Sequence, residues 1–332
     1  MRILIITPFY APDIGPSAPL FTLLSTALAQ KGHQVTVIAA VPHYSTGQVP
    51  PEYRKKWVYR STENGVNVIR VAVPSLKRAR FSNRMLQFLC FQIGAFFTSL
   101  FLKFDAAIIT NPAIETWLPM MLHAVIRRKP VIFSVFDVYP DVGIKLGVFR
   151  NRWVIAIIAA LEKSCLAPAA SVQIISDNFK TSLSALNVPE EKMARIDLWV
   201  DTDLITPGAR LNAFSEEFGL SSKFVVLYAG NLGMSQGLEY VIEAARECSW
   251  QQDILFVLVG DGSEKEDLQK RVNQAGLSNV RFIPFQPRER LAEVLATADV
   301  ALICLRRGIG SESLPSKTFS ILASGRPILA CV

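Results

Sequence analysis

Cysteine is sparse in this chain and shows no sign of pairing. Cys90, Cys165, Cys248, Cys304 and Cys331 are odd in number, widely scattered and free of any C-x-x-C spacing. That pattern argues against a disulfide framework, a zinc loop and a dithiol redox site, and fits a reducing cytosol. The first seven residues carry one Arg and a short apolar run stopped by Pro8. They are too short for a signal-peptide core, have no small-residue cleavage site, and read as a strand. No G-x-G-x-x-G turn, short repeat, low-complexity tract or nucleic-acid motif is present, which leaves a dinucleotide cofactor or a nucleic-acid partner poorly supported.

What is present fits a two-domain globular protein. At 332 residues the chain exceeds one ordinary core, and with 50% hydrophobic and 19% charged residues it can bury two. The net charge of +7 is unevenly placed: residues 1–200 carry 22 Lys and Arg against 12 Asp and Glu, and the remainder carries 13 against 16. A basic first half points to anionic lipid or phosphorylated substrates; the bland alternative is a solvated basic surface.

Short β-branched apolar runs at residues 3–7, 34–40, 66–71, 106–110, 130–135 and 171–175 alternate with helical patterns such as 19–30 and 113–127. The alternation predicts a doubly wound parallel sheet. It breaks over 199–223, rich in Asp, Thr, Pro and Ser, and resumes with runs at 224–229, 254–259, 280–283, 300–304 and 327–331. Two domains are therefore expected, 1–204 and 205–332. Because no helix follows the last run to cover it, the second domain is expected to be incomplete.

Five segments carry candidate chemistry. The loop after the first strand contains Gly15 and runs into a helix; it is either a plain turn or a place where backbone amides meet an anion. Tyr228-Ala-Gly230-Asn231-Leu-Gly233-Met-Ser-Gln236-Gly237 is the matching turn of the second half, and its glycines suit a nest of amides for a diphosphate. Gly260-Asp261-Gly262 is another strand-to-helix turn, equally compatible with ordinary turn chemistry. In the segment from Glu312 through Ser316 and Lys317 to Ser320, Lys317 is placed to neutralise a leaving diphosphate and Glu312 to accept from sugar hydroxyls. Asp137 follows an apolar strand, where such sheets place their chemistry, and is a candidate to orient an acceptor hydroxyl; a helix cap or surface ion pair is the alternative.

Taken in order, Tyr10-Ala-Pro12, Lys31-Gly-His33, Pro42-His-Tyr44, Asn111-Pro112, Asp137-Val-Tyr-Pro140, Trp199-Val-Asp201, Gly230-Asn231-Leu-Gly233 with Gln236-Gly237, Gly260-Asp261-Gly262 and Pro315-Ser316-Lys317 resemble family 4 of the retaining glycosyltransferases. The likeness is to the branch serving colanic acid, O-antigen and exopolysaccharide assembly. The resemblance implies the GT-B fold: two Rossmann-like doubly wound domains facing a central cleft, with acceptor on the first and nucleotide-sugar donor on the second. It implies Gly15, Gly230, Asn231, Gly233, Gln236, Gly260, Asp261, Gly262, Ser316 and Ser320 as donor contacts and Asp137, Glu312 and Lys317 as catalytic groups. It implies no bound cofactor or metal, in a chain with three His. The basic pair usual after the strand ending at Ala229 is replaced by Asn231 and Gln236. The second of two Glu residues is replaced by Ser320.

Residues 85–102 contain no charge and follow Lys77, Arg78, Arg80 and Arg84. The expectation is a helix partly packed on the sheet and partly in an anionic membrane interface, serving a lipid-linked glycan acceptor from the inner face of the cytoplasmic membrane. A wholly buried core helix is the alternative. Competing readings of the activity are a nucleotide-sugar epimerase or phosphorylase of the same build, and a non-catalytic, membrane-associated nucleotide-sugar-binding protein.

Overall fold

The structure, a computed structural model, describes residues 1–15, 17–44, 47–76, 81–307 and 314–332. Its contacts divide the chain into two units, Met1–Asp197 and Leu198–Val332. The division falls a few residues before the expected boundary at 205, and Ile205 lies in the core of the second unit.

In unit 1, eight strands are ordered β3-β4-β2-β1-β5-β6-β7-β8. They are β1 (Arg2–Ile6), β2 (Gln34–Ala40), β3 (Val58–Glu63), β4 (Val66–Val71), β5 (Ala106–Thr110), β6 (Val131–Val135), β7 (Ser171–Ile174) and β8 (Met193–Arg195). The helices are α1 (Ala18–Gln30), α2 (Phe81–Ser99), α3 (Ala113–Met120), α4 (Asp141–Lys145), α5 (Arg152–Leu166) and α6 (Phe179–Ala185). After Pro119 the backbone of α3 widens into a π-helical stretch over Met121–Ile126. The sheet is parallel except for β3, which pairs antiparallel with β4 at one edge. The expected doubly wound parallel sheet is thus present with one added antiparallel edge strand: β3 is mostly polar and half solvated, so it leaves no apolar run to read, and an edge strand needs none. Alternate residues of β1, β2 and β4, namely Ile5, Val35, Val37, Ala39, Val66 and Val68, bury one face with Phe21 of α1.

Unit 2 holds β9 (Phe224–Ala229), β10 (Ile254–Val259), β11 (Val280–Ile283), β12 (Val300–Cys304) and β13 (Ile328–Cys331) in the order β11-β10-β9-β12-β13, all parallel. Its helices are α7 (Ala213–Glu217), α8 (Glu239–Glu247), α9 (Lys265–Gln274), α10 (Leu291–Ala296) and α11 (Lys317–Ala323). The two-residue period of the strands sorts the core into two layers. Val225, Leu227, Leu255, Val257, Ala301 and Ile303 bury with Phe214, Val294 and Ile321. Val226, Tyr228, Phe256, Leu258, Leu302 and Cys304 bury with Val241, Ile242, Leu268 and Val272. Burial of both faces is why these strands are continuously apolar.

In each sheet the winding direction reverses once, at β1/β5 and at β9/β12. Open α/β sheets bind ligands beyond the carboxyl ends of the strands at such reversals.

Candidate functional site

Beside the β9/β12 reversal, where the turns after β9 and β10 meet, the backbone is compressed until only glycine fits. Gly260, just after β10, has φ 151°, and a Cβ there would stand 1.9 Å from the Gly230 carbonyl oxygen. A Cβ on Gly262 would stand 2.4 Å from the Leu232 carbonyl oxygen. The two turns are also stitched by hydrogen bonds: Gly230 N–H donates to the Val259 carbonyl at 2.9 Å, Leu232 N–H to the Asp261 carbonyl at 2.8 Å, and Glu264 N–H to the Leu232 carbonyl at 2.9 Å. These glycines therefore build a close-packed backbone floor, and the amides of Gly230 and Leu232 are spent on holding it together. The amide of Gln236 is likewise turned inward, onto the Gly233 carbonyl at 3.0 Å.

The positive charge at this floor comes from Lys317, the first residue of α11. Its Nζ donates to the Tyr228 hydroxyl at 2.7 Å and to Gln236 Oε1 at 2.6 Å. It also lies 4.0 Å from the centre of the Tyr228 ring, and 3.4 Å from where a Gly230 Cβ would be. The phenol has one proton and two acceptors in reach, the Asn231 carbonyl at 2.8 Å and Gln236 Oε1 at 2.9 Å. With Oε1 already serving Lys317, that proton belongs on the Asn231 carbonyl. Burial pushes the Tyr228 phenol well above its ordinary pKa, so it stays neutral. Burial also lowers the Lys317 ammonium to about 7, against a small opposing effect of Cys304. A cation held by neutral dipoles beside a backbone floor is suited to an anion such as a phosphate.

The other expected donor contacts are placed as follows. Asn231 and Asp261 are exposed; the Asp261 carboxylate accepts from its neighbour's amide, Gly262 N–H, at 2.8 Å. Gly233 is buried against the Asn231 side chain. Ser316 is exposed one residue before α11, and Ser320 is half-buried within it. Arg306 closes the β12 side, donating its amide to the Ser235 carbonyl at 2.8 Å. Glu312 lies outside the described residues, as do Lys77, Arg78 and Arg80. Among the described residues no three His, Cys, Asp or Glu side chains gather as a metal-ligand set.

In unit 1 the candidates are Gly15 and Asp137. Gly15 sits against the Phe9 ring, where a Cβ would be 2.4 Å from Cγ. Its loop is anchored by Asp13, whose carboxylate accepts from the amides of Ile14 at 2.8 Å, His43 at 3.0 Å and Tyr44 at 3.1 Å. The Asp137 backbone is set by Asn111 at the end of β5: its side chain donates to the Asp137 carbonyl at 2.5 Å and accepts from Phe136 N–H at 2.9 Å. Behind them Glu162 of α5 accepts from Ala113 N–H at 2.7 Å and is wholly buried, which raises its pKa to about 8. Burial thus favours the protonated, neutral form of its carboxyl. Asp13, Asn111, Glu162 and Tyr228 escape a reading of the sequence as site residues. Asn111 and Tyr228 leave a trace there, the first in the Asn111-Pro112 pair and the second because a phenol near the end of an apolar strand needs a polar partner.

The chain matches the family described as "Glycosyl transferase 4-like domain" over residues 18–199 and that described as "Glycosyl transferases group 1" over residues 212–331. It is 29% identical to the putative colanic acid biosynthesis glycosyl transferase WcaI of Escherichia coli K12, over 98% of this chain and 82% of that one. Similar solved structures include the sucrose-phosphate synthase of Thermosynechococcus elongatus, with a TM-score of 0.75 at 16% identity over 99% of this chain and 80% of that one. Another is Anabaena HepE in complex with UDP-glucose, with a TM-score of 0.67 at 15% identity over 99% of this chain and 80% of that one.

Proposed function

Because the chain belongs to the glycosyl transferase 4-like family and is a glycosyltransferase with the GT-B fold, we propose that it moves a sugar, with retention, from a nucleotide-diphosphate donor to a lipid-linked glycan in polysaccharide assembly. The observation that carries this reading is Lys317, delivered by α11 to the glycine floor at the carboxyl ends of β9 and β10. On this reading the diphosphate lies on that floor in unit 2 and the acceptor is held by unit 1. The bond from the anomeric carbon to the β-phosphate oxygen breaks and one to the acceptor oxygen forms on the same face. The acceptor proton leaves with the diphosphate, so no strong side-chain base is needed. Lys317 acts on the charge that builds as the diphosphate departs, and no metal is required for that task. Asp137 orients the acceptor hydroxyl, held in place by Asn111.

That HepE is described with UDP-glucose makes UDP the first probe. Calorimetric titration with UDP, GDP and ADP is expected to show saturable binding of one of them. Failure of all three to bind a folded sample would sink the donor assignment. Diphosphate release without any acceptor, or only with added phosphate, would instead mark an epimerase or a phosphorylase. Binding without transfer would mark a non-catalytic binder.

The membrane part of the proposal rests on the outer faces of α2 and α5, which flank α3 and are tied to it by Gln92 and Trp117. Phe97 of α2 is 66% exposed, and Trp153 and Ile157 of α5 are 68% and 61% exposed. Neither helix has an acid outward: the one carboxylate among these segments, Glu162, is buried. No helix among the described residues is long and apolar enough to cross a membrane, so the proposed attachment is peripheral, on the inner face of the cytoplasmic membrane. Flotation with vesicles rich in phosphatidylglycerol is expected, and is expected to weaken when Lys77, Arg78, Arg80 and Arg84 are neutralised. Undiminished flotation of that variant would remove the electrostatic part.

A further inference from the structure

We propose that Tyr228 and Gln236 are positioning residues: together they form an uncharged seat that fixes the charged Lys317 ammonium in one orientation at the glycine floor before a diphosphate arrives. This deepens the donor reading above and rests on it.

The donors and acceptors around Lys317 sort into one consistent set. Gln236 Nε2 donates to Ser235 Oγ at 3.0 Å, which turns Oε1 towards Lys317 Nζ at 2.6 Å. The Ser235 carbonyl accepts from the Arg306 amide at 2.8 Å, so the turn that carries Gln236 is tied to the end of β12. The Tyr228 hydroxyl gives its proton to the Asn231 carbonyl at 2.8 Å and accepts from Lys317 at 2.7 Å. Tyr228 belongs to β9, Gln236 to the turn after it and Lys317 to α11, so three separate segments converge on one nitrogen.

An ammonium carries its three protons on a bond that turns freely at the end of a flexible stem. Two acceptors at hydrogen-bonding distance stop that rotation, and tetrahedral geometry then sets the direction of the third proton. The Tyr228 ring, with its centre 4.0 Å from Nζ, adds a cation–π contact. Ring and acceptors favour the charged form, and neither Tyr228 nor Gln236 brings a negative charge that would cancel the ammonium's field at a diphosphate. A lysine side chain otherwise gives up rotamer freedom when it takes hold of an anion; here that ordering is done in advance. If Tyr228 and Gln236 served only the fold of the turn, their loss would cost the same with and without Lys317.

The test is a double-mutant cycle read by calorimetric titration of the full chain with UDP, GDP and ADP, each variant first checked by its melting curve. With the diphosphate that binds, Lys317→Met is expected to weaken affinity about thirtyfold, Gln236→Met about tenfold and Tyr228→Phe about fivefold. In the Lys317→Met background each second substitution should cost less than about twofold, because the group it positions is gone. Gln236→Glu keeps an acceptor for Nζ but adds a charge that cancels the ammonium's, so it should weaken binding at least as much as Gln236→Met. Where either Gln236→Met or Tyr228→Phe melts well below the unaltered chain, the cycle on the other decides. Substitutions that leave affinity unchanged, that cost the same factor with and without Lys317, or a Gln236→Glu variant that binds more tightly would each overturn this inference and leave the donor site standing. Undiminished binding by Lys317→Met, or no binding of any of the three diphosphates, overturns the donor site and this inference with it.

Discussion

Replacing Lys317 by alanine is expected to slow sugar transfer by about a hundredfold or more while the chain stays folded. Removing one preorganised group aimed at developing negative charge typically costs about 10²–10³ in turnover, and this group acts in a partly dehydrated place where its field is poorly screened. The fold should survive because what Lys317 leaves behind is not stranded: the Tyr228 hydroxyl keeps its proton on the Asn231 carbonyl at 2.8 Å, and Gln236 is only half-buried, so solvent can meet its freed Oε1. The loss should appear mainly in kcat, since charge on the diphosphate grows between ground and transition states. Steady-state kinetics beside a melting curve would check it. A variant that melts normally and turns over at the original rate would remove Lys317 from the reaction.

The second large effect is expected at Gly260. Gly260→Ala places a methyl group 1.9 Å from the Gly230 carbonyl oxygen at a φ of 151°, and the atom it meets is backbone in the adjoining strand pair. Neither side can yield without breaking the ladder that ends with Val259 opposite Ala229. A loss of about 3 kcal/mol or more in the stability of unit 2 is expected, together with loss of diphosphate binding. Gly276 is the matching control. It also has positive φ, 62°, but a Cβ there meets nothing within 4 Å, so Gly276→Ala should cost only about 1 kcal/mol. Equal losses in chemical denaturation of the two variants would show that backbone conformation, not the clash, governs Gly260.

The legible parts of this molecule are those where one physical signal dominates. Runs such as 224–229 and 254–259 became β9 and β10 at the expected bounds, because burial on both faces leaves no room for polar residues. Where burial is one-sided or absent the signal fades. The edge strand β3 is mostly polar, and β8 has only three residues, two of them exposed. Within the polar stretch 199–223, α7 was hidden by its own composition, although Asn212 and Ser215 cap each other there. The candidate site divides along the same line. Lys317 and the glycines stand out as residue types, but the phenol that supports Lys317 looks like one more apolar strand residue until its hydroxyl is seen at the strand's end. The amides of Gly230 and Leu232 look available in sequence and are committed to neighbouring carbonyls in the structure. No sequence spacing reveals which acceptor a backbone amide will choose.

Lys317 lies 81 residues from Gln236 and 89 from Tyr228 along the chain, so the cation reaches its place only after β12 has joined β9 and α11 has docked. The floor is local; the charge above it is the product of the whole unit. A diphosphate bound there is thermodynamically a ligand of the completed fold, and at a hundred times its dissociation constant it would stabilise unit 2 by about 2.7 kcal/mol. In a cell rich in nucleotide sugars, substrate supply would then set how long this half of the protein resists unfolding, as well as how fast it works.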